Sequence, residues 1–321
     1  MGITMLQRLS NLFWLWTLIG VVWAWFFPAH YTWFLDARLP LPGTGQTLPL
    51  MAAGLGVIML GMGITLSFAD FQAVCRSPRT IALGVLAQFC IMPFLGWSVA
   101  HLFRLPDDLK IGMILVSCCP GGVASNVITY LSRANVPLSV LLTMCSTLAA
   151  VLLTPRLTGF YGGKIVPVDE WAMIGELCLI VLLPVIGGLL LNQFAGKRLG
   201  PARALSPLVS ILLIVLIVGG VVGKTRDRIL EAGPVLLVAV VTLHVLGFLL
   251  GFGAGRLFGY PLADRRTLSI EVGMQNSGLG AQLAKTHFGL TAAAPCAISA
   301  LVHCLVGSFL AAVWGRRHSG E

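Results

Sequence analysis

Residues 270–280, IEVGMQNSGLG, combine a carboxylate, two amides and three glycines within one of the most apolar stretches of the chain. The carboxylate belongs to Glu271, and the amides belong to Gln275 and Asn276. Oxygen atoms of these kinds are the ligands that hard cations prefer in proteins. The stretch therefore favours a cation site, provided that neighbouring elements bring further oxygen atoms to it.

A second interrupted stretch, CCPGGVASN at residues 118–126, carries similar signals. Pro120 removes a backbone donor, and the two glycines that follow it lower the helix propensity. Each break is followed by adjacent Ser and Asn residues, namely Ser125-Asn126 and Asn276-Ser277. In lipid, a broken helix persists only where it is buried in protein or lines a water-filled cavity. Both breaks are therefore predicted to face protein or a ligand rather than lipid.

The composition of the chain places these stretches in a membrane. Hydrophobic residues make up 57% of the chain, charged residues make up 10%, and the mean hydropathy is +0.92. A soluble domain carries about 25% charged residues. Runs of about 20 apolar residues predict ten membrane-spanning helices. They lie near 11–27, 47–67, 78–103, 108–132, 136–160, 171–195, 205–223, 232–257, 267–288 and 293–314. The first run is interpreted as a span rather than a signal peptide, because it lacks a small-x-small cleavage site.

The two breaks fall in the fourth and the ninth predicted span, which is the same place in each half of the chain. Because each half has an odd number of spans, the two halves insert with opposite orientations. Paired interrupted segments at matching positions indicate the binding site of a transporter. Helix ends at such breaks present N–H groups to anions and carbonyl groups to cations. One crossing of both breaks is therefore suited to hold Na⁺ beside an organic carboxylate.

The distribution of basic residues predicts that both termini are cytoplasmic. Loops on the side of the termini carry twelve Lys and Arg residues, and loops on the other side carry nine. The net charge of +9 is thus mainly a signal of topology. No nucleic-acid partner is expected, because the basic residues are scattered over short loops. The eight cysteines contain no C-x-x-C pair and are interpreted as small packing residues.

Glu271 is the only acidic residue that these patterns place well inside a span, and no Lys or Arg lies at a comparable depth. Ionisable groups inside a membrane are costly and usually functional. A carboxylate without a protein cation therefore favours a soluble cation as its partner. Further oxygen atoms lie in other spans: Gln88 in the middle of the third, and Ser139 and Thr143 on one face of the fifth.

The sequence lacks the motifs of hydrolases, nucleotide-binding enzymes and transition-metal sites. It contains no HExxH, GxSxG or Walker motif, and its six histidines are dispersed. Neither an enzymatic activity nor a cofactor is therefore predicted. His303, in the middle of the tenth span, has two interpretations, which are packing in the core and lining a substrate cavity.

At these residues the chain resembles the bile acid:sodium symporter family, in its bacterial branch. EVGMQNSGL is close to the family's signature, and ASNVITYL followed by NVPLSVLLTMCSTL is similar to its fourth and fifth helices. The resemblance implies an all-α membrane protein of ten transmembrane helices in two inverted five-helix repeats, within one transporter domain over residues 1–321. Helices 4 and 9 are then broken and cross each other. The panel is expected at about 11–67 and 171–223, and the core at about 78–160 and 232–314.

The resemblance also implies an activity, in which an organic anion enters together with two Na⁺ ions by alternating access. The first Na⁺ site would use Ser125, Asn126, Ser139, Thr143 and Glu271. The second would use Gln88, Glu271, Gln275 and the backbone carbonyls of Val272 and Met274. These two coupling ions are the only bound ions that the resemblance implies, and no cofactor accompanies them.

Substrate contacts are implied at Gly121, Gly122, Val123, Asn276, His303 and Cys304. Relatives often have Thr at the position of Val123 and Asn at that of Cys304, so the chain has two fewer hydrogen-bonding side chains there. Gln282 is polar where relatives often have a small residue. The expected substrate is a small organic anion, either bile-acid-like or, in the cell, a hydroxy carboxylate such as pantoate. The protein is expected to act as a monomer, surrounded by lipid in the bacterial inner membrane.

Two other functions remain open. Glu271 could carry a proton instead of binding Na⁺, although a proton relay needs only the carboxyl group and not the hydroxyl and amide oxygens around it. A membrane enzyme or sensor that transports nothing would need a nucleophile–base pair or a signalling domain, and the sequence contains neither.

Overall fold

The computed structural model describes residues 12–40, 43, 45–196 and 198–316, and this part of the chain is nearly all helical. Its helices, numbered in chain order, are α1 (Phe13–Phe26), α2 (Ala29–Asp36), α3 (Leu50–Thr65), α4 (Phe68–Arg76), α5 (Pro78–Leu102), α6 (Asp107–Ser117), α7 (Ser125–Leu131), α8 (Val136–Gly162), α9 (Glu170–Ala195), α10 (Gly200–Leu257), α11 (Leu262–Gly273), α12 (Ser277–His287) and α13 (Ala294–Arg316). An antiparallel pair of short strands, β1 (Arg38–Pro40) and β2 (Thr47–Pro49), connects α2 to α3. Three basic residues counted for the topology, Arg8, Lys197 and Arg317, lie outside the described residues, and the orientation of the termini stays a prediction.

Several of these helices are long and apolar enough to cross a membrane. Among the described residues there are five, namely α5, α8, α9, α10 and the stretch Leu290–Gly315. Two bent pairs, α1 with α2 at 97° and α3 with α4 at 72°, qualify only when each pair is taken together. The predicted fourth and ninth spans are each split into two short helices, and the predicted seventh and eighth lie in α10. Ten separate spans and the inverted repeats therefore stay predictions.

Helix α10 bends sharply at Gly233, where φ is 62° and ψ is −159°. Glycine adopts positive φ without a steric penalty, and Pro234 cannot donate the hydrogen bond that would continue the helix. Just before the bend, the Arg228 guanidinium donates to both carboxylate oxygens of Asp108, each at 3.0 Å, and to Glu231 at 2.8 Å. These hydrogen bonds raise the pKa of Arg228 above its usual value. The bend is thereby tied to the start of α6.

Glycines bring the helices into close contact in two groups. A Cβ at Gly63 of α3 would lie 2.3 Å from the carbonyl oxygen of Val185 in α9, and a Cβ at Gly220 of α10 would lie 2.1 Å from a side chain of α2. In the other group, a Cβ at Gly251 would lie 2.7 Å from the Leu268 carbonyl of α11. The bend in α10 separates the two groups, and one continuous apolar cluster joins them. Their division into a panel and a core stays a prediction.

Candidate functional site

The two breaks cross in the buried interior and pair through their backbones. The Asn276 N–H donates to the Pro120 carbonyl at 2.8 Å, and the Gly122 N–H donates to the Met274 carbonyl at 3.0 Å. Between these two bonds, Gly121 and Gln275 form an isolated antiparallel bridge. The segments between α6 and α7 and between α11 and α12 are thus held together as a short two-stranded crossing.

Glycine is required where the two segments approach most closely. A Cβ at Gly122 would lie 2.7 Å from the carbonyl oxygen of Gln275, which is too short for an ordinary contact. On the other segment, Asn276 caps α12, because its side-chain Oδ1 accepts a hydrogen bond from the Leu279 N–H at 3.1 Å. The Pro and Gly residues of the sequence therefore mark places where the helices are interrupted. Asn276, beside the second interruption, is the N-cap of α12.

Glu271 lies beside this crossing and is only 4% exposed. Its Oε1 accepts hydrogen bonds from the hydroxyls of Ser125 and Ser139, both at 2.5 Å, and its Oε2 accepts one from Thr143 at 2.8 Å. The structure therefore gathers four of the five residues predicted for the first Na⁺ site, from α7, α8 and α11. Within the part of the chain that the structure describes, no salt bridge involves this carboxylate.

Asn126, the fifth predicted residue of the first site, does not bond to the carboxylate. Its side-chain Oδ1 is buried and has no hydrogen-bond partner. Leaving a buried acceptor unsatisfied costs about 1–3 kcal/mol. Thr129, which the sequence analysis did not single out, lies one turn after Ser125 and donates to Ser139 at 3.1 Å. Thr129 could have been predicted from its i, i+4 spacing to Ser125, because residues at that spacing share one face of a helix.

Three of the residues predicted for the second Na⁺ site, Gln88, Gln275 and Val272, form a connected group. The Gln88 amide nitrogen donates to Gln275 Oε1 at 2.8 Å and to the Cys119 carbonyl at 2.9 Å. The Gln275 amide nitrogen donates in turn to the Val272 carbonyl at 2.9 Å. Gln88 Oε1 is buried without a partner. The Met274 carbonyl is engaged by the crossing. Glu271, the remaining member of the predicted set, bonds to the hydroxyls of the first site.

A small cavity of about 20 Å³ lies next to the crossing and is lined by four of the six predicted substrate residues. They are Gly122, Val123, Asn276 and His303. Asn276 Nδ2 and His303 Nδ1 are both buried there without hydrogen-bond partners. Two polar atoms without partners at one cavity indicate a place where a polar ligand would be satisfied.

The other two predicted substrate residues are not brought to this cavity. Cys304 is 0% exposed and packs in an apolar cluster with Ile128 and Met274. The Gly121 N–H donates to the Ser146 hydroxyl at 3.4 Å, and the Gly122 N–H is used in the crossing. Both glycine N–H groups are thus engaged within the protein, which leaves the side chain of Asn276 as the free donor in this group.

A second, half-buried carboxylate is that of Glu176 in α9. It was missed by the sequence analysis, because Glu271 was treated as the only acidic residue well inside a span. The Glu176 side chain is 15% exposed. It accepts hydrogen bonds from Gln282 at 2.8 Å, from His287 at 2.8 Å and, more weakly, from Thr286 at 3.3 Å. Glu176 lies close to the start of its predicted span, so it resembled a residue at a span end. The polar side chain of Gln282, at a position where relatives often have a small residue, was the feature of the sequence that indicated a polar partner there.

Two buried groups behind the second break were also missed. His244 of α10 and Ser299 of α13 are both 0–1% exposed and hydrogen-bond to each other at 2.6 Å. His244 had been grouped with the dispersed histidines, because the residues it contacts are distant in sequence. No local spacing identifies such a pair.

Comparisons with known proteins identify the family to which the chain is similar. Residues 52–232 match the model of the Sodium Bile acid symporter family. The chain is 39% identical to the "Uncharacterized sodium-dependent transporter YocS" of Bacillus subtilis over 305 residues, which cover 95% of this chain and 91% of that protein. It is also 39% identical to the "Probable sodium/metabolite cotransporter BASS2, chloroplastic" of Oryza sativa, over 97% of this chain and 72% of that protein. For the corresponding BASS1 of Arabidopsis thaliana the identity is 38%, over 97% and 75%.

Proposed function

Because the chain belongs to the sodium bile acid symporter family, a family of membrane transporters rather than enzymes, we propose that it carries a small organic anion across the membrane together with two Na⁺ ions. The observation that supports this most directly is the set of three hydroxyls around the buried carboxylate of Glu271. Relatives named as sodium-dependent or sodium/metabolite transporters support Na⁺ as the coupling ion.

The first Na⁺ ion binds between Glu271 and the hydroxyls of α7 and α8. A hydroxyl that donates to the carboxylate can rotate and present a lone pair to a cation instead. Glu271 then supplies the negative charge, while Ser125, Ser139 and Thr143 supply neutral oxygen atoms. Asn126 Oδ1, buried without a partner, is a further neutral oxygen for the same ion. An all-oxygen set with one charge suits a hard monovalent cation.

The second Na⁺ ion binds along the second break, between Gln88 and the carbonyls of Val272 and Met274. Gln88 Oε1 is a buried acceptor without a donor, which a cation would satisfy. Glu271 also lies close to the crossing, since a Cβ at Gly121, which is bridged to Gln275, would lie 2.9 Å from its Oε2. One carboxylate shared by two ions would couple their binding, because each ion alters the charge that the other meets.

The anion binds in the cavity next to the crossing. Asn276 Nδ2 is a donor without a partner and faces the carboxylate of the substrate, while His303 offers a second polar atom. Val123, Phe13 and Ile214 place an apolar surface beside these polar atoms. The cavity of about 20 Å³ has room for about one water molecule, so either anion enters only when panel and core move apart. A hydroxy carboxylate such as pantoate needs a smaller opening than a bile acid.

Transport follows from moving one group of helices against the other. In the proposed ten-helix arrangement of two inverted repeats, α1, α3, α9 and the first part of α10 belong to the panel. The core consists of α5–α8, the second part of α10 and α11–α13. Na⁺ ties the two breaks together and shapes the cavity between panel and core. Relative motion then exposes the cavity to the cytoplasm. Na⁺ and the anion dissociate there because the internal Na⁺ concentration is low. Na⁺ must tighten substrate binding, and substrate must tighten Na⁺ binding to the same extent.

A thermal-shift experiment tests this function on the purified protein. Pantoate and a bile salt are each added in NaCl or in KCl. We expect pantoate to raise the unfolding temperature more in NaCl than in KCl, because a ligand that binds only the folded protein stabilises it by mass action. Uptake of the stabilising anion into vesicles is then driven by a Na⁺ gradient or by a pH gradient. Uptake that follows the pH gradient and ignores Na⁺ would support the proton-coupled alternative instead.

The contacts of Glu176 lead to a second prediction, which concerns the motion of the proposed panel relative to the proposed core. They join α9 of the proposed panel to α12 of the proposed core, at a polar cavity of about 420 Å³ that Leu35, Gln282 and Lys285 line. Glu176→Ala is expected to open this end of the molecule more often, because a hydrogen bond to a charged group contributes about 1.5–3 kcal/mol. A cysteine placed at Leu35, which is 3% exposed, should then react with a thiol reagent about tenfold faster.

This labelling is carried out with the two exposed cysteines, Cys75 and Cys90, replaced by Ser. Gln193→Ala is the control, because Gln193 is exposed on the same helix. Labelling at an unchanged rate in Glu176→Ala would show that these contacts do not hold that end closed.

A further inference from the structure

A chain of hydrogen bonds lies directly behind the break between α11 and α12. His244 Nδ1 lies 2.8 Å from the carbonyl oxygen of Gly273, the last residue of α11. His244 Nε2 lies 2.6 Å from the Ser299 hydroxyl, and that hydroxyl lies 2.9 Å from the hydroxyl of Ser277, the first residue of α12. The two ends of the break are therefore joined to each other through side chains of α10 and α13.

Donor and acceptor roles along this chain follow from the groups present. A carbonyl oxygen can only accept, so His244 Nδ1 carries the hydrogen and donates to Gly273. In the neutral imidazole, Nε2 is then an acceptor and receives the Ser299 hydroxyl hydrogen. Because Ser299 has used its one hydrogen, Ser277 donates to Ser299. Each contact thus has one donor and one acceptor, which fixes a single tautomer of His244.

We propose that His244 is a positioning residue, which together with Ser299 holds both ends of the break and thereby aims the backbone carbonyls of Val272 and Met274 at the second Na⁺ ion. The inference rests on the proposed function, because it presumes the second Na⁺ site. His244 itself supplies no ligand to the ion. It acts through Gly273, which lies between the two residues whose carbonyls the ion would contact.

The backbone geometry shows how one hydrogen bond could aim the neighbouring carbonyls. Met274 is extended, with φ at −109° and ψ at 117°, and carbonyls of successive extended residues point to opposite sides of the chain. With the Gly273 carbonyl held toward α10, the Met274 carbonyl is directed the other way, where it meets the Gly122 N–H of the first break. Releasing the Gly273 carbonyl would leave the Met274 carbonyl held by the Gly122 N–H alone.

Helix α10 contacts Gly273 through a second side chain, that of Phe248. Phe248 lies one turn after His244 and packs its ring on the same glycine, so closely that a Cβ at Gly273 would lie 2.4 Å from the ring. The Gly273 carbonyl would otherwise be a free helix-end acceptor, and inside a membrane such a group must find a partner within the protein. Hydrogen bonding by His244 and packing by Phe248 together hold this backbone in one position.

The same chain reaches the candidate substrate cavity. Ser277 lines that cavity beside Asn276 and His303. The ring of His303 packs edge-on against the ring of His244, with 5.3 Å between their centroids. A conformational change of the break on Na⁺ binding would therefore also move side chains that line the substrate cavity. This arrangement connects the second Na⁺ site to the cavity through named contacts.

Three variants of the full-length protein separate the contacts. His244→Phe keeps a buried ring but removes both hydrogen bonds. His244→Asn retains a side-chain N–H close to the position of Nδ1, so it can still donate to Gly273. Ser299→Ala removes the contacts of the Ser299 hydroxyl with His244 Nε2 and with Ser277, and keeps the hydrogen bond from His244 to Gly273. His101→Phe is the control, because His101 is exposed and far along α5. The probe is Na⁺ itself, and the unfolding temperature of each purified protein is measured at increasing NaCl against KCl at the same ionic strength.

We expect the Na⁺ half-point, defined as the Kd for Na⁺ fitted to the rise in unfolding temperature with NaCl, to increase about tenfold in His244→Phe, which corresponds to about 1.4 kcal/mol of Na⁺ binding. Ser299→Ala and His244→Asn, which both lose the contact between residue 244 and Ser299 and keep the hydrogen bond to Gly273, should show a smaller rise. His101→Phe should stay close to the wild type. A merely structural role would lower the unfolding temperature of His244→Phe in KCl and leave its Na⁺ half-point unchanged. That result would overturn the inference, as would an Asn variant as impaired as the Phe variant.

The wild type distinguishes this inference from the proposed function. If NaCl does not stabilise the wild type relative to KCl, Na⁺ coupling itself is wrong and the inference falls with it. If NaCl stabilises the wild type and His244→Phe retains the same half-point, the proposed function stands and only the positioning role of His244 is refuted. His244→Phe that does not fold is replaced by Ser299→Ala, whose Na⁺ half-point must then rise above that of the wild type.

Discussion

Glu271→Gln is expected to abolish Na⁺-driven uptake, lowering its rate more than about a hundredfold. The substitution preserves the size of the side chain and removes its charge, so both proposed Na⁺ ions lose the one anionic ligand in reach. Removing one partner of a buried charged contact costs about 3–5 kcal/mol. The measurement is uptake of the stabilising anion into vesicles under an inward Na⁺ gradient, together with the Na⁺-dependent rise in the unfolding temperature.

The surroundings of Glu271 explain why Gln cannot substitute. Three hydroxyls donate to the carboxylate, and the amide nitrogen of Gln can accept from none of them. Glu231→Gln is the matched control, because Glu231 is 66% exposed and pairs with Arg228 at the surface. The control should transport at the wild-type rate. A folded Glu271→Gln protein that still showed Na⁺-dependent uptake would refute both proposed ion sites.

The local signals in the sequence predicted much of this fold and of the site. Pro120 and the glycine pair after it marked one break, and Gly273 lies where α11 ends at the other. The nearly all-helical architecture followed from composition, because a backbone in lipid must satisfy its hydrogen bonds within itself. The i, i+4 pair Ser139 and Thr143 does share one face of α8 and does meet Glu271. These features depend on residues close together in the sequence.

What the sequence did not predict depends on contacts between distant residues. His244 and Ser299 are 55 positions apart and meet only because α10 and α13 pack together. Glu176 and His287 are 111 positions apart. Cys304 was expected at the substrate cavity, yet its side chain packs among apolar residues, since a position on a helix does not specify which neighbour covers it. The β-hairpin before α3 likewise arises from pairing across a loop that has no apolar pattern.

Gln88→Leu is expected to remove the second Na⁺ ion while leaving the first. Gln88 contacts Gln275 and the Cys119 carbonyl, and it makes no hydrogen bond to Glu271 or to the hydroxyls around it. Leucine has a similar volume but leaves Gln275 Oε1 and the Cys119 carbonyl without this donor, at a cost of about 1–3 kcal/mol for each buried group. Uptake should therefore need about tenfold more Na⁺, and its dependence on Na⁺ concentration should change from sigmoidal to hyperbolic.

The test depends on the shape of the curve of uptake rate against Na⁺ concentration. Two coupled ions give a sigmoidal curve, and a single ion gives a hyperbolic one. Ser139→Ala is the matched comparison, since it removes one hydroxyl from Glu271 and leaves Gln88 with all of its contacts. It should raise the Na⁺ requirement through the first site. If Gln88→Leu keeps a sigmoidal curve with the wild-type midpoint, Gln88 does not serve an ion. If the wild-type curve is itself hyperbolic, transport is coupled to one Na⁺ ion. The site around Glu271 is then where that ion binds, because three hydroxyls and a carboxylate meet there.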